Sequence, residues 1–149
     1  MDKIDLELLR SLQKNGRTPM KHLAQEVFLS PPAVTERIER LERQGVITGF
    51  TARVDAEKLG FPLTAFVNLE LDPPQKPSFF AFASGCPNIL ECHCVTGRYS
   101  ILLKGVFRSP AELDDFIGKL QAYGHTQTQV VFSTPVPPRG VPCSPGGER

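Results

Sequence analysis

Two predicted helices lie so close together in the sequence that they restrict the fold of the first third of this 149-residue chain. One helix begins at Thr18 and Pro19, an N-cap followed by a first-turn proline, and the next has Ser30 as its N-cap. Only Phe28 and Leu29 separate the two helices. Because two residues are too few for antiparallel neighbours, the helices are expected to cross at a steep angle, as in a helix-turn-helix.

The flanking residues complete a domain of three helices. Asp2 stands at an N-cap position, Asn15 and Gly16 end the first helix, and Gly45 ends the third. The third helix carries an apolar stripe at i, i+4 and i+7, formed by Val34, Ile38 and Leu41. The β-rich segment 46–55, with a glycine in its middle, predicts a small hairpin or wing.

Alternating and helical apolar patterns predict a second domain. Its predicted elements are a strand over 63–71, a short helix capped by Ser78, strands over 89–96 and 99–107, a helix opened by the capping box of Ser109 and Glu112, and a strand over 126–134. Only Gly97 and Arg98 separate the two middle strands, which is the spacing of a hairpin. The order βαββαβ indicates a ferredoxin-like antiparallel sheet with both helices on one face.

These patterns predict an α+β protein in four parts. They are a winged helix-turn-helix at 1–50, a β-linker at 51–60, a ferredoxin-like domain at 61–134 and a disordered tail rich in Pro and Gly at 135–149.

Composition and charge narrow the class of protein and its partners. With 40% hydrophobic residues and no apolar run near the ~18–20 residues of a membrane span, we expect a soluble, cytoplasmic protein with no membrane partner. The formal net charge is +1, and the first 60 residues hold 10 Lys and Arg against 9 Asp and Glu. A single copy is therefore a weak electrostatic binder of DNA, and we expect binding to depend on assembly.

The chain resembles the Lrp/AsnC (leucine-responsive, or feast/famine) transcriptional regulators. The resemblance rests on LLRSLQKNGRTPMKHLAQEVFLSPPAVTERIERLERQGVITGF, on the later KLG, PNI and VTG stretches, and covers roughly residues 2–134. It implies a sequence-specific regulator that binds double-stranded DNA through its winged helix-turn-helix, and senses an effector and oligomerises through its second domain. Because family members commonly assemble dimers into octamers, the resemblance implies homodimers and octamers here.

The third helix is expected to lie in the major groove with its amino-terminal part against the bases. The predicted DNA-binding residues are Pro32, Ala33, Thr35 and Glu36 at base edges, Ser30 beside a phosphate, and Arg37 and Arg40 on phosphates. Glu36 and Arg40 also have the spacing of an i, i+4 ion pair on a solvated helix face, which is the alternative explanation for these charges.

The predicted effector site combines a turn and the start of the last strand. In the family a turn written G-x-Y-D-Y-L-L lies at the interface where amino acids bind, and this chain has GRYSILL in its place. The expected effector-binding residues are Gly97, Arg98, Tyr99 and Ser100, with Thr126, Gln127 and Thr128, which resemble the family's T-x-T. Ser100 stands where the family usually has Asp, and a hydroxyl binds an ammonium group more weakly than a carboxylate does. Turn stabilisation is the alternative role for Thr126 and Thr128.

The remaining polar residues indicate no enzyme, metal site or cofactor. Cys92 and Cys94 alternate with His93 on a predicted strand, so the three side chains cannot meet at one metal ion. We expect the four cysteines, which also include Cys86 and Cys143, to be small buried thiols. The chain has no nucleophile elbow, phosphate loop or HExxH motif.

Two functions are consistent with the sequence. The first is a sequence-specific transcriptional regulator that responds to an amino acid. The alternative is an architectural protein that bends or wraps DNA with weak sequence preference and without an amino-acid effector, which the serine at position 100 favours.

Overall fold

The computed structural model of the chain describes residues 1–143, which divide into two compact units. One unit contains residues 1–53, here called the head, together with residues from 136 onward. The other contains residues 54–135, here called the body. None of the helices in the described residues is both long and apolar enough to cross a membrane.

Three helices form the head. They are α1 at Lys3–Lys14, α2 at Met20–Glu26 and α3 at Pro31–Arg43. Their apolar faces meet in one core, whose buried members are Leu8, Leu12, Leu23, Ala24, Val27, Val34 and Ile38. Leu41 is also buried, so the whole predicted stripe of α3 faces inward. The helix-turn-helix prediction is confirmed.

The body is a four-stranded antiparallel sheet covered on one face by two helices. Its elements are β1 at Leu63–Leu71, α4 at Lys76–Gly85, β2 at Ile89–Cys94, β3 at Ile101–Phe107, α5 at Pro110–Leu120 and β4 at Gly124–Val130. The strands are arranged in the order β2-β3-β1-β4. Along the chain the elements follow the order β1, α4, β2, β3, α5 and β4, which confirms the βαββαβ prediction.

Alternation along β1 separates a covered face of the sheet from an open one. Ala65, Val67, Leu69 and Leu71 are buried against α4 and α5, where Phe79 and Phe116 join the same core. The side chains of the open face, opposite the helices, are at most partly buried along β1; they are Thr64, Phe66, Asn68 and Glu70.

Three predicted N-caps are confirmed by hydrogen bonds. The side chains of Asp2, Ser30 and Ser109 each accept from the backbone N–H three residues further on, at 2.9, 3.4 and 3.2 Å. At α1 the carboxylate of Asp5 also accepts from the N–H of Asp2 at 3.0 Å, so the capping box is reciprocal.

Two other predicted N-caps are wrong. The hydroxyl of Thr18 donates to the carbonyl of Asn15 at 2.8 Å, and that of Ser78 donates to the carbonyl of Gln75 at 2.9 Å. Each hydroxyl therefore bonds backwards to the preceding turn and leaves the first N–H groups of its helix uncapped by a side chain.

The hairpin predicted over 46–55 is also wrong, because no strand occurs between α3 and β1. Ile47 packs on the helical core instead, and its N–H donates to the carbonyl of Leu41 at 3.2 Å. The predicted β-linker at 51–60 likewise has no strand partner and ends in a 3₁₀ turn at Glu57–Leu59.

The turns of the sheet differ from their predicted lengths. The two-residue hairpin at Gly97 and Arg98 is wrong, because the N–H of Val95 donates to the carbonyl of Ser100 at 2.9 Å and residues 95–100 form the loop. Strand β4 spans Gly124–Val130, so it begins two residues before and ends four residues before the predicted strand over 126–134.

The carboxyl-terminal residues 136–143 form neither helix nor strand. They belong to the same compact unit as the head, where the Gln13 amide donates to the carbonyl of Val141 at 3.2 Å. The predicted disorder covered 135–149, and residues 144–149 of that range lie outside the described residues.

The cysteines are less buried than predicted. Cys86 and Cys143 are half-buried, but Cys92 and Cys94 are exposed because β2 is an edge strand. Cys92 and Cys94 pair with core residues of β3 while His93 points to the open face, as alternation requires. Within residues 1–143 no group of three His, Cys, Asp or Glu side chains is arranged to hold a metal ion.

Candidate nucleic-acid interface and effector site

The first two turns of α3 present the four predicted base-reading residues. Pro32 and Glu36 are exposed, while Ala33 and Thr35 are half-buried. The Thr35 hydroxyl donates to the carbonyl of Pro31 at 3.0 Å, which leaves its methyl group and oxygen lone pairs for a base. These residues lie next to the N-cap Ser30. The positive end of the α3 dipole and the short side chains are therefore adjacent.

The charge pattern along α3 resolves an alternative left open by the sequence. Glu39 and Arg43 form an exposed i, i+4 contact at 3.7 Å, but Glu36 and Arg40 do not pair. Among residues 1–143 the Glu36 carboxylate has no ion-pair partner, and it remains an acceptor directed to solvent.

Arg37 and Arg40, predicted to bind phosphates, contact the start of α1 in the free protein. Arg40 Nη2 lies 2.7 and 2.9 Å from the two carboxylate oxygens of Asp5. Arg37 Nη1 lies 2.9 Å from Asp5 and 2.7 Å from Asp2. Asp5 is only 1% exposed, so two arginines of α3 surround a buried carboxylate.

Two groups of this cluster, Asp2 and Arg37, have pKa values shifted by their mutual contact. The backbone N–H of Asp5 and the Arg37 guanidinium hold the pKa of the Asp2 carboxyl below its ordinary value. The carboxylates of Asp2 and Asp5 in turn raise the pKa of Arg37. From the sequence, Asp2 is predicted only as an N-cap, and its contact with Arg37 is not anticipated. The contact of Arg37 with α1 could have been predicted, because Arg37 lies only about 60° around the helix axis from Val34 in the buried stripe.

The loop between β2 and β3 supplies four of the predicted effector residues. Gly97 has a φ of +105°, and Arg98 stacks 5.6 Å from the centre of the Tyr99 ring. Arg98 Nε also lies 3.1 Å from the carboxylate of Glu70, which raises the pKa of Arg98. Ser100 is half-buried, and its carbonyl closes the loop. Glu70 is a charged neighbour that the sequence did not predict.

The other predicted effector residues lie across β1, on β4. Thr126 and Thr128 pair with Leu69 and Val67 and so point to the covered face, whereas Gln127 points to the open face. Thr126 lines an open cleft of about 500 Å³ with Asp72, Gln121, Ala122, Gly124 and His125. The structure therefore brings Thr126 together with the carboxylate of Asp72, but places Arg98 and Gln127 on the opposite face of the sheet.

Two family profiles cover the head and the body. A winged helix-turn-helix DNA-binding family matches residues 1–48, and the Lrp/AsnC ligand-binding domain matches residues 64–141. The chain belongs to the Lrp/AsnC family. The resemblance noted in the sequence is thereby confirmed.

Transcriptional regulators from bacteria match this chain over nearly their whole length. The uncharacterised regulator YezC of Bacillus subtilis is 42% identical, and the alignment covers 90% of this chain and 95% of YezC. The solved structure of LrpC from B. subtilis is 36% identical, with a TM-score of 0.85 over 90% of this chain and 96% of that one. A Neisseria meningitidis regulator solved as an L-Met complex is 25% identical, with a TM-score of 0.90 over 95% and 96% of the two chains.

Membership in the Lrp/AsnC family fixes the broad class of function. The chain is a DNA-binding helix-turn-helix transcriptional regulator and not an enzyme. Its body corresponds to the ligand-binding domain of that family.

Proposed function

We propose that this Lrp/AsnC regulator acts in the cytoplasm and reads DNA sequence through the first two turns of α3. Pro32, Ala33, Thr35 and Glu36 contact base edges, and Ser30 with the helix amino terminus lies near a phosphate. The observation that carries the proposal is the exposed carboxylate of Glu36, which lies beside Thr35 and has no ion-pair partner among residues 1–143. A carboxylate accepts from a cytosine amine, and the Thr35 methyl packs on thymine.

In this proposal Arg37 and Arg40 act mainly as positioning residues for α3. Their guanidinium groups hold the helix on α1 through Asp5. Arg40 is 42% exposed and keeps N–H groups that can also reach a phosphate, so it combines both roles.

The DNA proposal is tested by binding to the region upstream of the chain's own gene and to random duplex over a salt series. We expect tighter binding to the former at every salt concentration. Thr35→Ala should relax the preference at one base position, whereas Arg40→Ala should weaken binding to all sequences alike and also lower the melting temperature. If the wild type binds the upstream DNA and random duplex with nearly equal affinity, the result would favour the architectural alternative.

We propose that the effector is an amino acid bound in the cleft beside Thr126. Asp72 lines that cleft and supplies the carboxylate that position 100 lacks, while the Thr126 hydroxyl bonds the α-carboxylate of the ligand. The relative solved as an L-Met complex makes L-methionine the first ligand to test.

Calorimetric titration with each of the twenty amino acids tests this site. We expect Asp72→Asn and Thr126→Ala to abolish the heat of binding, and Ser100→Ala to leave it unchanged. Binding of no amino acid, or equal losses in all three variants, would contradict the assignment of the cleft.

We propose homodimers that pair through the open face of the sheet and assemble further into octamers. Phe66 is the large aromatic side chain of that face on β1, and an apolar side chain on an exposed sheet face favours association. Two heads double the number of phosphate contacts and compensate for the near-neutral charge of each head.

A further inference from the structure

Helix α3 ends in a backbone motif that requires a left-handed residue. The N–H of Val46 donates to the carbonyl of Leu41 at 2.9 Å, and the N–H of Gly45 donates to that of Glu42 at 2.9 Å. Gly45 has a φ of +69°. This is a Schellman motif with glycine in the left-handed position, where a side chain is unfavourable.

Helix α2 ends in the same motif, but with phenylalanine in the left-handed position. The N–H of Leu29 donates to the carbonyl of Ala24 at 3.0 Å, and the N–H of Phe28 donates to that of Gln25 at 3.4 Å. Phe28 has a φ of +54° and is the only non-glycine residue with positive φ in the described part of the chain. A bulky side chain is strained there because its Cβ crowds the neighbouring carbonyl.

Packing within the head does not compensate for this strain. Phe28 is 94% exposed, so its ring adds almost nothing to the helical core. It lines an apolar cleft of about 590 Å³ with Lys21, Gln25 and Pro31, among others. A strained residue that gains little from its own fold indicates a function in binding.

We propose that Phe28 is a further DNA-contacting residue, whose ring packs on a thymine methyl group beside the base-reading turn of α3. Two observations select DNA as the occupant. The cleft is continuous with Pro31, the first residue of α3, and Lys21 brings a positive charge that complements a phosphate. This inference rests on the proposed docking of α3 on DNA.

The test compares full-length Phe28→Gly and Phe28→Tyr with the wild type on the DNA upstream of its own gene. Glycine relieves the strained φ, so the melting temperature should stay the same or rise. Affinity for DNA should nevertheless fall by about tenfold, with an unchanged salt dependence because no charge is lost. Phe28→Tyr keeps the ring and should bind within a factor of about two of the wild type.

Two matched variants serve as controls. Gly45→Ala places a side chain in the other Schellman motif and should lower the melting temperature without lowering affinity per folded molecule. Phe132→Ser removes an equally exposed ring from the body and should leave DNA affinity unchanged.

Three results would overturn the inference. They are wild-type affinity in Phe28→Gly, an equal loss of affinity in Phe132→Ser, or a change in the mass of free Phe28→Gly in sedimentation, which would show that the ring contacts a second copy. Thr35→Ala distinguishes the two proposals. If it relaxes base preference while Phe28→Gly binds normally, only the role of Phe28 fails; if the wild type prefers no sequence, the proposed docking fails with it.

Discussion

At the scale of single residues, Asp5 determines what the arginines of α3 do. Its carboxylate is buried at the start of α1 and accepts hydrogen bonds from both Arg37 and Arg40. A buried carboxylate needs such partners, because an unpaired charge in the interior is costly. The two arginines therefore hold α3 at a fixed position on α1, which the proposed base contacts require.

We expect Asp5→Asn to destabilise the protein by about 3 kcal/mol, because it leaves two guanidinium groups facing a neutral amide. Thermal unfolding followed by circular dichroism measures this change. Glu39→Gln is the matched control, since it breaks only the exposed pair with Arg43 and should cost at most about 0.5 kcal/mol. Similar small losses in both variants would show that the Asp5 cluster contributes little.

Asp2 gives the head an acid-sensitive contribution to its stability. Because its folded pKa is lowered from 3.8, the contribution is fully present above that ordinary value and is lost as the pH falls through the folded pKa. Asp2→Asn keeps an N-cap but removes the titration. We expect its melting temperature to vary less than that of the wild type below about pH 4. Parallel melting curves for the two proteins would contradict this.

At the scale of elements, the start of β4 depends on glycine. Gly124 pairs with Leu71 at a φ of +151°, and a Cβ there would overlap the carbonyl oxygen of Glu70. This close approach lets β4 begin at Gly124 and places Thr126 in the cleft with Asp72. A glycine in an otherwise β-like pattern thus marks a close backbone approach.

We expect Gly124→Ala to destabilise the body by about 3 kcal/mol, through overlap with the β1 backbone and an unfavourable φ. Gly118→Ala is the control, because Gly118 lies within α5 with open space around its Cβ position. That change should stabilise the protein by about 0.5–1 kcal/mol. Urea unfolding of both variants gives the two free energies, and the same sign for both would refute this account.

For the molecule as a whole, the near-neutral charge is the property that supports the proposed assembly into dimers. The formal net charge is +1. The two arginines that the sequence offered as phosphate contacts are also partly neutralised by Asp2 and Asp5. Each head therefore brings little net attraction to DNA, and we expect affinity to depend on the proposed dimer, which links two heads.

We expect Phe66→Asp to yield monomers in sedimentation velocity, because it places a charge on the open face that we propose as the dimer interface. Its DNA affinity should fall by about 100-fold while the melting temperature of the head is kept. Ala81→Asp, at an exposed position of α4, adds the same charge on the helical side and should change neither property. A Phe66→Asp protein that remains dimeric would place the interface elsewhere.

Local chemistry explains which elements could be predicted. The helix-turn-helix and the βαββαβ order could be predicted because their signals depend on residues that are close together in sequence. These signals are the helical stripes, the strand alternation and the N-caps Asp2, Ser30 and Ser109. The hairpin over 46–55 could not be excluded from its composition. Whether Ile47 pairs in a strand or packs on a helical core depends on residues distant in sequence.

Periodicity, capping and family motifs are local features of the chain, so both folds and the family of this regulator could be predicted without coordinates. The partners of the charged groups could not, and they became known only from the three-dimensional arrangement. Arg37 and Arg40 bind Asp5, which is more than thirty residues away in sequence, and Arg98 binds Glu70 of strand β1. Electrostatic partners follow from proximity in space, which spacing along the chain does not specify.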